Sequence, residues 1–268
     1  MAEVTILDTI VAQRRLDVAQ AKRDVPFPAL QERLRQAPPV LDFVARLRQE
    51  APMALIGEVK RASPSKGDIA PGIDASRYAL TYARAGAAGI SILTEPKWFK
   101  GTLEDMLAAR LAVDALGAAR PGILRKDFII DDYQVVEARA YGADSVLLIV
   151  ASLEDGWLRG LLECARTMNM EPLVEVNNAA EMERALSVGA TLIGVNNRDL
   201  RDFSVDLGTT DRLATMVPEG ILLVALSGIN ARADVERFAA AGAEAVLVGE
   251  SLMRAEDPAA KVRELVGK

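Results

Sequence analysis

The chain has 268 residues, of which 50% are hydrophobic and 26% charged, with a formal net charge of -6. That length and composition fit one large α/β domain or two small ones with an ample core, and the acidic balance argues against a nucleic-acid or membrane-surface partner while leaving room for a local basic pocket. Histidine is absent and Cys164 is the single cysteine, which excludes Ser-His and Cys-His catalysis, imidazole zinc sites and an intrachain disulfide; proton transfer near neutral pH falls to Lys, Glu, Asp or Tyr.

Residues from about 4 to 48 carry apolar positions at helical spacing, first in ILDTIVAQRRLDVAQAKR and then, after a break at Pro26 to Pro28, in an amphipathic stretch running through LDFVARLRQE. Residues 1–50 therefore read as an N-terminal helical extension that packs on the main domain, either covering one end of it or helping to close a site. Glu3, Asp8, Arg14 and Arg15 interrupt any apolar signal core, and no window approaches the length of a membrane span, so a cytoplasmic location is expected.

Beyond Ala51 an internal repeat appears, in which a helix ends at a Gly-Ala pair and an apolar strand follows. Gly86, Gly142, Gly189 and Gly242 mark it, at intervals of about fifty residues. Glycine there suits the left-handed residue that stops a helix, and the apolar run after it suits a strand buried on both faces. Such a period holds two strand-helix units. The interleaved strands are ALIGEVK, GILRKD, PLVEV and ILLVALSG, giving eight strands alternating with eight helices over residues 51–268, a single (β/α)8 TIM barrel. Segments such as ASRYALTYARA, LEDMLAARLAVDAL, YQVVEARA and AAEMERALS supply connecting helices. Cys164, within LRGLLECARTM, reads as a helix-packing residue. An open doubly wound sheet would place a glycine-rich fingerprint after its first strand, and LIGEVKRASPSKG is not one.

Function in such barrels gathers at the C-terminal strand ends. Strand one presents Glu58, Lys60 and Ser63; Glu58 and Lys60 stand two apart and share one face, with Val59 and Ile56 assigned to the other. Strand two presents Thr94 and Glu95, strand three Arg125, Lys126 and Asp127, strand five Glu175, strand six Asn196, Asn197 and Arg198, and strand seven Ser227. A buried carboxylate and ammonium must be paired, hydrated or awaiting a ligand. A structural ion pair would account for one such pair, but Lys60, Lys126, Glu58, Glu175 and Arg198 on one rim point to a site. Gly228 and Gly249, after strands seven and eight, leave backbone N-H groups at the starts of short helices, where a phosphate dianion binds. The expected ligand is a phosphorylated anionic small molecule, processed by Lys/Glu pairs whose pKa values are drawn toward neutrality.

The segments IGEVKRASPSKG, SILTEPKWFKG, ILRKDFIIDDYQ, PLVEV, IGVNNRDL, LSGI and VGESLMR, in this order and spacing, closely resemble the indole-3-glycerol phosphate synthase family. The match runs from the N-terminal helices to the last helix. The resemblance implies ring closure, decarboxylation and dehydration of 1-(2-carboxyphenylamino)-1-deoxyribulose 5-phosphate to indole-3-glycerol phosphate, CO2 and water, in tryptophan biosynthesis, with no metal or redox cofactor. By motif, Lys126 is the general acid toward the ribulosyl carbonyl, Glu175 a partner in water loss, Lys60 the holder of the substrate carboxylate, and Glu58 the residue that orients lysines and sugar hydroxyls. The sequence leaves open which lysine acts at which stage. Asn196, Arg198 and Ser63 are implied in substrate binding, Phe99, Phe128 and Leu200 in an apolar slot for the aromatic ring, and Ser227, Gly228, Gly249 and the backbone of Glu250 in phosphate binding. A monomer or weak homo-oligomer is implied, with association with other tryptophan-pathway enzymes left open.

Two departures from the family pattern stand out. Many members carry Glu where this chain has Leu226, and Glu250 sets a carboxylate beside the expected phosphate site, where its side chain is expected to turn away. The rival readings are a class I aldolase with Lys126 as Schiff-base lysine, which borohydride trapping would reveal, and a degenerate barrel that only binds an anion. The Glu58, Lys60, Lys126 and Glu175 set speaks against the second.

Overall fold

The computed structural model describes residues 4–201 and 203–268. Eight parallel strands close into a barrel: β1 (Ala54–Val59), β2 (Gly89–Leu93), β3 (Gly122–Lys126), β4 (Ser145–Ile149), β5 (Leu173–Val176), β6 (Leu192–Asn196), β7 (Leu222–Leu226) and β8 (Ala245–Val248). Each pairs with its neighbours in chain order, and β8 returns to β1 with Ala54 beside Ala245. The strands are buried along their length except at Lys126, the last residue of β3, because side chains fill the barrel on one face and helices cover the other. The repeat glycines stop the helices before β2, β4, β6 and β8 in the left-handed region, with φ of 110°, 89°, 79° and 100° at Gly86, Gly142, Gly189 and Gly242.

The outer layer comprises α4 (Ala75–Ala85), α5 (Leu103–Asp114), α6 (Asp132–Ala140), α7 (Asp155–Thr167), α8 (Ala179–Ser187), α9 (Gly208–Ala214), α10 (Arg232–Ala240), the short α11 (Glu250–Met253) and α12 (Pro258–Val266). Helices α4 and α8 span the segments whose apolar spacing predicts them. Cys164 is half-buried in α7, as a packing residue would be.

Before the barrel come α1 (Ile6–Asp24), α2 (Phe27–Arg35) and α3 (Phe43–Arg48). Thr5 and Asp8 form a capping box that starts α1. The second helical stretch is not continuous: the chain leaves the helix after Arg35, passes Pro38 and Pro39, and restarts where Asp42 accepts the Ala45 amide at 2.9 Å. Two consecutive prolines remove amide donors and exclude helical geometry just before them.

The extension touches both ends of the barrel. Phe43 of α3 plugs the N-terminal end so closely that a Cβ on Gly122 would lie 2.3 Å from its ring. At the other end, Leu7, Ile10 and Val11 of α1 join the apolar cluster that contains Phe128, Ile149 and Leu200. A fully buried ion cluster ties the connection after α2 to the barrel base. Asp144, ahead of β4, accepts the Leu41 amide at 2.7 Å, the Ile123 amide at 2.8 Å, and Arg120 at 2.6 and 2.9 Å, with Arg110 at 3.4 Å.

The placement of Ile56 corrects one expectation. It stands two before Glu58, and by the strand's period of two both point into the barrel; Ile56 packs with Leu124, Leu147 and Leu173. Arg125 and Asp127 are corrected likewise. Alternation along β3 sends Lys126 inward and Arg125 outward, where Arg125 bonds Glu137 at 2.9 Å and Asp127 at 3.0 Å. Asp127 also accepts from Arg14 of α1 at 3.0 Å and Thr94 at 2.7 Å. These charges tie α1 and α6 to the strand end; Arg125 lies outside the cavity, and Asp127, at its border, is engaged by Arg14, Thr94 and Arg125.

Candidate active site

The C-terminal ends of the strands surround one cavity of about 530 Å³. Glu58 and Lys60 reach it from β1, Lys126 from β3, Glu175 from β5 and Asn196 from β6, while Ser63, Phe99, Phe128, Arg198, Leu200, Ser227, Gly228, Gly249 and Glu250 line it from the loops and strand ends. Every residue to which the family resemblance gives a catalytic, substrate-binding or phosphate-binding role thus borders the same space, whereas Thr94, Glu95, Arg125 and Asn197 do not.

Its centre is a chain of alternating charges. Lys60 Nζ lies 2.7 Å from Glu58 Oε1, and Lys126 Nζ lies 3.4 Å from Glu175 Oε2. Asn196 Nδ2 donates to the other Glu175 oxygen at 2.8 Å and accepts the Arg198 amide at 3.0 Å through its own oxygen. Burial alone would push the Glu58 carboxyl up, but Lys60 and Lys126 outweigh it and hold the group below the ordinary carboxylate value. Burial likewise opposes the Lys126 ammonium, yet Glu175 and Glu58 hold it above the ordinary lysine value. The expected drift toward neutrality is therefore reversed at Glu58 and Lys126, each of which is flanked by opposite charges.

One side of the cavity is apolar. The Phe99 and Phe128 rings tilt at 42° with centroids 6.0 Å apart, and Leu200 faces the same space. Phe99 owes its place to Glu95, a completely buried carboxylate that accepts the amides of Lys97, Trp98 and Phe99 at 2.9, 2.7 and 3.0 Å. Glu95 is a loop anchor rather than a rim acid. Asn197 is also structural, donating to the Leu226 and Ser227 carbonyls and accepting the Thr210 amide and hydroxyl.

The opposite side is built from turns. Ser227 and Gly228 are both left-handed, with φ of 67° and 80°, and a Cβ on Gly228 would lie 2.5 Å from Leu207. A non-glycine residue in that region costs about 1–3 kcal/mol, and such strain collects where function requires an exposed backbone. Gly249 has φ of -121°, which any residue adopts. Its glycine is required by crowding instead, since a Cβ there would lie 2.4 Å from Glu58 Oε1. We expect Gly249→Ala to displace the Glu58 carboxylate from Lys60 and lower kcat/KM by at least about tenfold with little change in thermal midpoint. Parental kinetics in that variant would show that Glu58 need not stand where it does.

Glu250 departs from expectation. Arg254 holds its carboxylate at 3.1 Å, yet it stays within 3.9 Å of Lys66 and 4.0 Å of Arg198, facing the cavity mouth. Leu226 points inward and lines the cavity, where it meets the neighbouring surface of Gly194. Lining residues that the sequence reading did not single out include Lys66, Leu147, Ile149 and Val205. The inward alternation of β4 could have found Leu147 and Ile149. Val205 could not be found that way, because it reaches the cavity only by folding back onto Arg198 in a single antiparallel bridge.

A closed parallel barrel with an ionic chain at its C-terminal rim, a wall of aromatic rings on one side and glycine turns after its last two strands is the architecture of a (β/α)8 barrel enzyme. The indole-3-glycerol phosphate synthase family model matches residues 7–265, and the chain belongs to that family, whose members are carboxy-lyases. The indole-3-glycerol phosphate synthase of Roseiflexus castenholzii is 50% identical over 267 residues, covering 98% of this chain and 99% of that one. A multifunctional tryptophan biosynthesis protein of Schizosaccharomyces pombe is 56% identical over 266 residues, and the chain spans 35% of its length. Among solved structures, a 3-hexulose-6-phosphate synthase aligns with a TM-score of 0.61 at 18% identity, covering 80% of this chain and 99% of that one, a likeness of fold alone. Among the described residues no helix is long and apolar enough to cross a membrane.

Proposed function

We propose that this chain closes the indole ring of 1-(2-carboxyphenylamino)-1-deoxyribulose 5-phosphate, releasing CO2 and water and leaving indole-3-glycerol phosphate. The observation that carries the reading is the alternating Lys60, Glu58, Lys126 and Glu175 chain in one cavity, with an aromatic slot and glycine turns on either side of it. The aromatic ring occupies the slot of Phe99, Phe128 and Leu200. The phosphate takes backbone N-H groups at Ser227, Gly228, Gly249 and Glu250, with Arg198 and Ser63 near it. The substrate carboxylate draws on Lys60.

Lys126, held protonated by its two carboxylate neighbours, donates to the ribulosyl carbonyl oxygen as the ring carbon attacks. Loss of CO2 restores aromaticity, and Glu175, steadied by Asn196, assists departure of the hydroxyl as water. Glu58 holds both lysines in place electrostatically. The raised Lys126 pKa also disfavours the Schiff-base alternative, which needs a neutral amine. The α1 helix, whose Leu7 and Ile10 join the cluster around the slot, helps to close it. The reading calls on no metal or redox cofactor. It places the protein in the cytoplasm as a monomer or weak homo-oligomer, working beside other tryptophan-pathway enzymes as the fused relatives suggest.

The test is to add the carboxyphenylamino-deoxyribulose phosphate to metal-stripped protein and follow indole fluorescence. A rise without added cofactor is expected. No rise, with tight binding of the same compound by calorimetry, would leave the degenerate-barrel reading standing.

A further inference from the structure

Ser91 lies on β2 in register with Glu58 of β1. Gly89, Ser91 and Leu93 alternate inward: a Cβ on Gly89 would lie 3.0 Å from Ile56, and Leu93 lines the cavity. Ser91 is completely buried, and its Oγ has no hydrogen-bond partner among the described residues. Its register partners are Glu58 on β1 and Leu124 on β3. Paired residues on adjacent parallel strands stand about 4.8 Å apart and project to the same face, so the hydroxyl lies beside the stem of Glu58. The surrounding interior is otherwise apolar, formed by Ile56, Leu124, Leu147 and Leu173. A lone hydroxyl there destabilises the fold relative to alanine, so packing alone does not explain it.

We propose that Ser91 is a positioning residue for Glu58: when an anionic ligand draws Lys60 away, the Ser91 hydroxyl donates to the Glu58 carboxylate and keeps it facing Lys126. Glu58 is paired with Lys60 at 2.7 Å, and a ligand carboxylate that competes for that lysine would turn Glu58 into an acceptor for Ser91. The inference rests on the reading of Lys60 as the carboxylate holder. The groups that face Glu58 are Lys60 just beyond the end of its own strand, Lys126 on β3 and uncharged Gly249 at the end of β8; Tyr82 packs on the outer face of β1 with its hydroxyl on Met253 Sδ at 3.3 Å. Ser91 is the neutral donor among them with no bond of its own.

Ser91→Ala separates this role from packing. We expect its thermal midpoint to equal or exceed the parent's and its kcat to fall about three- to tenfold. The acid limb of kcat should move to higher pH, because the ligand-bound Glu58 loses a donor, while the acid limb of kcat/KM, set by the free protein, stays in place. Turnover by the parent tests the reaction itself; the ratio between the two proteins tests Ser91. Independently of turnover, the Glu58 carboxyl carbon can be titrated by NMR with saturating 2-aminobenzoate as carboxylate probe, and it should titrate higher in Ser91→Ala. An unchanged kcat profile with an unchanged titration would overturn the proposal, as would a fall in kcat accompanied by a lower midpoint.

Discussion

Lys126→Met is expected to lower kcat by about 10²- to 10⁴-fold while substrate binding, measured by calorimetry, stays within about tenfold of the parent. Methionine keeps the unbranched stem that passes through the barrel interior and removes only the ammonium. That ammonium sits 3.4 Å from Glu175 and next in the charge chain to Glu58. A proton donor acts in the transition state, so its loss appears in kcat far more than in ground-state affinity. Turnover near the parental rate in this variant would remove Lys126 from the role of general acid.

The pH dependence follows from the same cluster. Lys126 is raised in the folded protein, so its contribution to stability is complete below the ordinary lysine value and is lost as pH rises through the folded value. Glu58 is lowered, so its contribution is complete above the ordinary carboxylate value and is lost as pH falls through the folded value. Both windows lie outside neutrality. Neither group should therefore put a limb on kcat/KM between about pH 6 and 9.

The barrel was legible because its signals are local. A glycine that must be left-handed stands ahead of every second strand, and apolar runs buried on both faces lie between. The site was legible because charges at the ends of apolar runs have few structural excuses. What sequence obscured was direction. Arg125, Lys126 and Asp127 read alike in a line, and only alternation along β3 separates the inward lysine from two residues that bind α1 and α6 to the strand. Gly249 shows the same limit. It reads as a phosphate turn, yet its φ would admit a side chain and it is Glu58, nearly two hundred residues earlier, that forbids one. Contacts between segments so far apart leave no periodic trace.

Asp144→Ala is expected to have the largest effect on stability and little on chemistry. The Asp144 carboxylate is completely buried and accepts two backbone amides and the Arg120 guanidinium, with Arg110 beside it. Removing it strands buried donors and leaves the Arg110 and Arg120 guanidinium groups to share the partly exposed Asp114 carboxylate alone, a loss of about 3–5 kcal/mol. For a domain of this size that corresponds to a fall in thermal midpoint of roughly 10 °C. The cluster lies at the N-terminal end of β4, on the opposite end of the barrel from the ionic chain, so turnover per folded molecule at 25 °C should change less than about twofold. A midpoint within about two degrees of the parent would show that solvent or rearrangement replaces the lost acceptor. A large loss of turnover with an intact midpoint would instead mean that the two ends of the barrel are coupled, against the separation of stability and chemistry that barrels of this kind maintain between their two faces.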